Sequence, residues 1–179
     1  MIGGRTLGDL DERVDHWWGR WRDRPLIDRI MFAATNAGEF SMIWHGIGIG
    51  RALTGRWSWR RAVRFSIVMG LESLIVNQGI KRLVRRTRPS TAADNTSSHH
   101  LRQPVTSSFP SGHSSAAWCA VTVLRPPGTK VGALPLLGTV VATSRIHVRL
   151  HHASDVVAGT IVGWALGLLA RRFVWGRRS

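Results

Sequence analysis

With 179 residues the chain has room for one domain and little else. Its 25 Lys and Arg outnumber 10 Asp and Glu, and the formal net charge of +15 calls for an anionic partner: nucleic acid, an acidic membrane surface or a phosphorylated substrate. The single cysteine, Cys119, excludes an intrachain disulfide framework and reads as a small buried filler in the apolar run Ala116 to Leu124.

The first predicted element falls in residues 7 to 24, where Leu7, Leu10, Val14, Trp17, Trp18 and Trp21 recur at helical spacing among Asp, Glu and Arg. Residues 1–26 are therefore read as an amphipathic segment, lying in a membrane interface or packed on the rest of the molecule. The N-terminus has no apolar core followed by a small-residue cleavage site, so a cleaved secretory signal is not expected. Mean hydropathy is only −0.04, but the average hides a segregated pattern. Apolar runs occupy residues 27–50, 62–80, 114–124, 131–143 and 156–170, and arginine is packed into the connections. Polar residues within the first two runs, among them Asn36, Glu39, His45, Glu72 and Asn77, are expected to face the interior of a bundle. Residues 90–109 read as a polar loop.

Spanning the ~30 Å hydrocarbon core takes about 20 helical residues. Runs three and four reach that length only if the motif residues beside them continue the helix. The expectation is an all-α, integral-membrane helical bundle of about five transmembrane helices over residues 27–179, with the N-terminal helix at the interface. A soluble bundle is the alternative; Trp and Arg flanking the runs like interfacial anchors favour the membrane.

Three short motifs lie where these runs end or begin: Lys81-(x)6-Arg88-Pro89, Pro110-Ser111-Gly112-His113, and Ser144-Arg145-(x)5-His151-(x)3-Asp155. Five crossings bring all three to one membrane face. Lys81, Arg88 and Arg145 are cations suited to a phosphate, although the first two also suit a membrane-flanking basic cluster. Ser111 and Gly112 precede an apolar helix, whose free amides make an anion site; Ser111 as a plain helix cap is the bland account. His151 and Asp155, spaced i, i+4, fall on one helical face, where the carboxylate could hold one ring nitrogen and aim the other. Asp155 could equally cap the last helix, with His151 incidental.

Together the three segments resemble the signature of the type 2 phosphatidic acid phosphatase (PAP2) superfamily, which includes membrane lipid phosphatases, soluble bacterial acid phosphatases and vanadium haloperoxidases. The resemblance implies a phosphate clamped by Lys81, Arg88, Ser111, the Gly112 amide and Arg145. It implies His151 as nucleophile forming a phosphohistidine, His113 as general acid and then base, and Asp155 as the partner of His151. It implies no metal and no cofactor, and assigns no role to His147 or His152. The chain departs from the pattern in lacking the Tyr-Pro often found after the nucleophile. Many membrane members have six spans, and here the amphipathic segment stands where the first would be.

The function expected is hydrolysis of a lipid phosphomonoester or diphosphate, on a polyprenyl or glycerolipid carrier. Arginine in preference to lysine suggests a GC-rich bacterium and tilts the reading toward a polyprenyl carrier of cell-envelope synthesis. A vanadate-dependent haloperoxidase keeps the fold and changes the chemistry. A basic nucleic-acid-binding protein would use the charge but leaves the apolar runs and ordered histidines unexplained, so the expected partners are a lipid phosphate and membrane lipids, and not nucleic acid. Segments 51–64, 125–130 and the tail from Arg171 carry basic residues and no acid, which places them in the cytoplasm and the motif face outside the bacterial inner membrane. Two histidines working in opposite protonation states predict a bell-shaped pH–rate profile.

Overall fold

The computed structural model describes residues 6–89, 106–126, 128 and 132–176, and every regular element among them is helical. The greater part of the 90–109 loop, much of the 125–130 turn and the last three residues of the tail lie outside the described residues. Helix α1 (Leu7–Gly19) opens on a closed capping box, in which Thr6 Oγ1 accepts the Asp9 N–H and the Asp9 carboxylate accepts the Thr6 N–H. The side that faces the molecule mixes polar and apolar residues. Asp11 is buried and Val14, Asp15 and Trp18 are half-buried, while Leu7, Leu10, Trp17 and Trp21 point outward. Trp18 Nε1 donates to His147 Nδ1 at 3.2 Å, and Arg22 donates to the carbonyls of Ile146 (2.8 Å) and His147 (3.0 Å). Of the two sequence readings of this segment, the structure shows the packing on the bundle, with Leu7, Leu10, Trp17 and Trp21 left outward.

The first apolar run is not one helix. Helix α2 (Pro25–Gly38), with proline in its first turn, ends at a 3-10 turn, Glu39–Ser41, before α3 (Met42–Leu53). Phe40 and Ser41 take left-handed backbone angles (φ 48° and 59°). The Glu39 N–H bonds Asn36 instead of Thr35, which frees the Thr35 carbonyl for another donor. Helix α4 (Trp59–Leu74), capped by Ser58, widens into a π-helical segment, Ile75–Ile80, and ends in the single turn α5 (Lys81–Leu83). Helix α6 (Gly112–Leu124) follows, then α7 (Leu134–His147) and α8 (Ala153–Trp175). At 1.5 Å per residue the 23 residues of α8 span ~34 Å. Among the described residues α8 is the one helix long and apolar enough to cross a membrane unaided. Run three gains only Gly112 and His113 from its motif; run four is extended to His147.

Helix α6 is the centre of the bundle, buried along most of its length, and α8 lies against it almost backbone to backbone. Gly159, Gly163 and Gly167 form the contact stripe. A Cβ on Gly163 would stand 2.0 Å from the Ser115 carbonyl oxygen, and one on Gly159 2.4 Å from that of Ser111. Trp44, Phe65, Met69, Leu124 and Val141 fill the apolar core. At one end Arg51 donates to the Leu124 carbonyl (2.5 Å), Trp175 Nε1 to Val123 (2.8 Å) and Arg171 to Arg125 (3.1 Å), with Arg61 stacked 4.6 Å over Trp175. This end gathers the basic connections. The other end gathers the C-terminus of α5, the N-termini of α6 and α8 and the C-terminus of α7, where the three motifs lie. Between the ends, Val63, Ile67, Leu71 and Leu74 of α4 and Val157, Ile161, Trp164 and Leu168 of α8 form exposed apolar stripes.

Candidate active site

Most motif residues sit at or beside a helix terminus, where backbone donors and bent chain are available to a ligand, and Arg88 lies in the irregular stretch 84–89 that follows α5. The π-helical turn before α5 delivers Lys81 toward the start of α6: a Cβ on Gly112 would lie 3.5 Å from Lys81 Nζ and 3.0 Å from Asn77 Oδ1. Gly112 thus keeps the approach to the α6 amides open. Ser111 is the α6 cap, its hydroxyl oxygen accepting from the Ser114 N–H (3.4 Å) and the Ser114 hydroxyl (2.9 Å), which leaves its own O–H to donate. Its backbone N–H bonds the Asp155 carbonyl at 3.0 Å, tying the second motif to the third.

After α7 the chain turns sharply, with Arg149 at φ 53°, and the Leu150 and His151 N–H groups both bond the Arg145 carbonyl. This turn puts His151, only 3% exposed, inside the cluster. His151 Nε2 lies 3.2 Å from Arg88 Nη1, which also donates to the Leu150 carbonyl at 2.6 Å. A guanidinium has donors only, so Nε2 presents its lone pair and the proton resides on Nδ1. Nδ1 faces Asp155 Oδ2 at 3.8 Å, a contact of charge and dipole too long for a hydrogen bond, and has no hydrogen-bond partner among the described residues. Burial pushes the His151 imidazole down to about 3; Asp155 opposes this, and the charges of Arg145, Arg88 and Lys81 add to it. The ring is neutral at physiological pH, the state a nucleophile needs.

His113 Nε2 stands 3.2 Å from the Thr35 carbonyl that the break in α2 released, and 3.7 Å from Glu39 Oε2. A carbonyl only accepts, so Nε2 carries the proton. Gly38 makes room for this ring, since a Cβ there would meet His113 Cδ2 at 2.8 Å. Arg145 is buried and its Nε has no hydrogen-bond partner among the described residues. The charges of Arg145 and Lys81 act on both His113 and His151.

All eight expected residues (Lys81, Arg88, Ser111, Gly112, His113, Arg145, His151 and Asp155) come together at this end of the bundle. Ser111 and Asp155 fill the capping roles that the sequence offered as the alternative to catalytic ones. Asp155 Oδ2 caps α8 through the His152 N–H (2.9 Å), and Oδ1 accepts from Arg86 Nη1 (2.6 Å). Ser144 bonds Thr35 Oγ1 and the Val141 carbonyl and serves packing. His147 joins Trp18 to Asp28 (2.9 Å) and so ties α1 and α2 to α7. Sequence reasoning missed Arg86, Asp11, Thr35 and the Ser115–Glu72 hydrogen bond (2.5 Å) buried beneath Lys81. Arg86 was visible only as one of a basic run, and Thr35 contributes a backbone carbonyl that no side-chain pattern reports. Among the described residues no group of three or more His, Cys, Asp or Glu is placed to hold a metal ion.

Residues 61–179 match the family model of the PAP2 superfamily, two-thirds of the chain and all three motifs. The chain belongs to the PAP2 superfamily. This PAP2 protein is 32% identical over 160 residues to the decaprenylphosphoryl-5-phosphoribose phosphatase of Mycobacterium tuberculosis, covering 86% of each chain. It is 28% identical over 150 residues to the undecaprenyl-diphosphatase BcrC of Bacillus subtilis, covering 83% of this chain and 75% of that one. Its fold is similar to the crystal structure of a transmembrane PAP2-type phosphatidylglycerolphosphate phosphatase from Bacillus subtilis, with a TM-score of 0.70 at 24% identity over 96% of this chain and 88% of that one. The all-α bundle therefore has the fold seen in that transmembrane PAP2-type protein, and the chain is a phosphatase.

Proposed function

We propose that this PAP2 protein hydrolyses a polyprenyl-linked phosphate or diphosphate at a membrane surface through a covalent phosphohistidine on His151, without a metal. The observation that carries the reading is the disposition of His151: buried, neutral, its Nε2 lone pair beside Arg88 and its Nδ1–H facing Asp155. The relatives named for decaprenyl- and undecaprenyl-linked substrates support the choice of carrier.

In the first half-reaction the phosphate is held by Lys81, Arg88, Arg145, the Ser111 hydroxyl and the Gly112 amide, which spread its charge. Nε2 of His151 attacks phosphorus in line; the bond from phosphorus to the leaving oxygen breaks, and that oxygen takes a proton from His113, which enters the step as the imidazolium and leaves it neutral. The ring of His151 becomes a cation, and Asp155 closes on its Nδ1–H. In the second half-reaction His113 removes a proton from water, the oxygen attacks phosphorus, and the N–P bond breaks to return neutral His151 and inorganic phosphate.

In this reading residues 1–26 are the peripheral segment and 27–179 the membrane-spanning catalytic domain, crossing the bacterial inner membrane about five times. The end holding Arg51, Arg125 and Arg171 is cytoplasmic and the motif end extracytoplasmic. The substrate tail stays in lipid beside the exposed apolar stripes while its phosphate enters among the motifs. The test is phosphate release from polyprenyl and glycerolipid phosphates in detergent with EDTA. Wild type is expected to be active, with His151→Ala and His113→Ala each losing at least about a thousandfold. Activity retained in His151→Ala, or lost by wild type on adding EDTA, would contradict the proposal.

A further inference from the structure

The deepest-buried side chain of the peripheral helix is a carboxylate. Asp11 of α1 is 4% exposed, and three donors meet it: the Ser154 N–H on Oδ1 (2.8 Å), and the Ser154 hydroxyl (2.6 Å) and Arg86 Nη2 (2.6 Å) on Oδ2. The other guanidinium nitrogen of Arg86, Nη1, reaches Ser154 Oγ at 2.7 Å and Asp155 Oδ1 at 2.6 Å. A chain of hydrogen bonds thus runs from the N-terminal helix through Arg86 to the carboxylate that faces His151. Burial works against the charge of Asp11, but the bonds from Ser154 and Arg86 outweigh it and hold the carboxyl below its ordinary range.

The charges decide what this chain of bonds does. Asp155 with Arg86 alone is a neutral pair, poorly suited to stabilise the cation that His151 becomes on phosphorylation. Adding Asp11 gives two carboxylates on one guanidinium, a net charge of −1 beside the ring. Docking of α1 does not depend on this contact alone, because Trp18 and Arg22 bond α7 independently.

We infer that Asp11 is a positioning residue for phosphoryl transfer: through Arg86 it sets the charge and orientation of Asp155. The inference rests on the phosphohistidine reading above.

Asp11→Asn keeps the shape and removes the charge; Asp11→Glu keeps the charge; Trp18→Phe weakens α1 docking and leaves Asp11 in place. Each full-length variant is assayed for kcat and KM on the best lipid phosphate, for inhibition by vanadate and for melting temperature, beside wild type and His151→Ala. Loss of an outer partner of a reacting histidine predicts a fall of ~10–100-fold in kcat for Asp11→Asn, with KM within about threefold of wild type. Vanadate, which takes the place of the transferring phosphoryl group on Nε2, loses affinity by a similar factor, and Asp11→Glu recovers most of both. Trp18→Phe lowers the melting temperature with kcat near wild type. A kcat for Asp11→Asn within about twofold of wild type overturns the inference, as does a loss that tracks melting temperature with vanadate affinity unchanged. If His151→Ala is inactive while Asp11→Asn behaves as wild type, this inference alone falls; if His151→Ala still turns over, the phosphohistidine reading and the inference fall together.

Discussion

His151 is held from three directions: the sharp turn after α7 sets its backbone, Arg88 covers Nε2 and Asp155 faces Nδ1. Its lowered pKa has a direct consequence. A group that is neutral above about 3 stays neutral through the whole pH range in which an ordinary histidine gains its proton. The acid limb of a bell-shaped profile therefore does not report protonation of free His151. In enzyme carrying isotope-labelled histidine, the resonance that His151→Ala removes is expected to remain at its neutral position from pH 8 down to about 5. A titration of that resonance between pH 6 and 7 would contradict the burial that produces the shift. At this scale the site was legible in the sequence where side-chain type carries the chemistry: three cations, two histidines and a carboxylate at motif spacing. It was not legible where a partner is remote in sequence or is backbone. Asp11 meets Ser154 across the whole fold, and the Thr35 carbonyl becomes an acceptor only because a helix breaks four residues later.

The helices follow the apolar runs closely for α4, α6, α7 and α8, because hydrophobic patterning and helix ends report the same thing: where the chain must hide its backbone. The break at Glu39–Ser41 was hidden, since Phe40 and Ser41 adopt left-handed angles without a glycine to signal them. Helix α1 reads as amphipathic, but its inward face could not be assigned, because patterning alone does not say which side of a helix a buried partner will claim; here Asp11 and Trp18 turn inward and Leu7, Leu10 and Trp17 outward. The α6–α8 contact gives the clearest test of packing. Gly163→Ala places a methyl 2.0 Å from a backbone oxygen that cannot rotate away, so the helices must separate. Overpacking of this kind costs about 2–3 kcal/mol, and its expected effect is a lower melting temperature in detergent. Gly70→Ala, on the exposed side of α4 with nothing within 4 Å of the added carbon, is expected to leave stability unchanged or raise it by up to about 1 kcal/mol. Equal effects of the two substitutions would show that the glycine stripe does not set the helix spacing.

For the molecule as a whole, a bundle of short helices separates two chemistries along its length. One end collects arginine on carbonyls and tryptophan, and the other collects the phosphate cations and both histidines. The apolar stripes of α4 and α8 lie between, and α1 lies against the motif end with Leu7, Leu10 and Trp17 outward and Trp18 bonded to His147. Such an arrangement suits a substrate whose tail never leaves the bilayer, because the phosphate needs to travel only as far as the helix ends. The proposed reaction turns on covalent transfer to His151. The most direct measurement is rapid quenching of the enzyme during turnover of a lipid phosphate labelled with radioactive phosphorus, followed by mapping of the labelled residue. Label on His151, labile to acid, stable to alkali and absent from His151→Ala, is the predicted result. Label on another residue, or turnover by His151→Ala at the wild-type rate, would contradict the account.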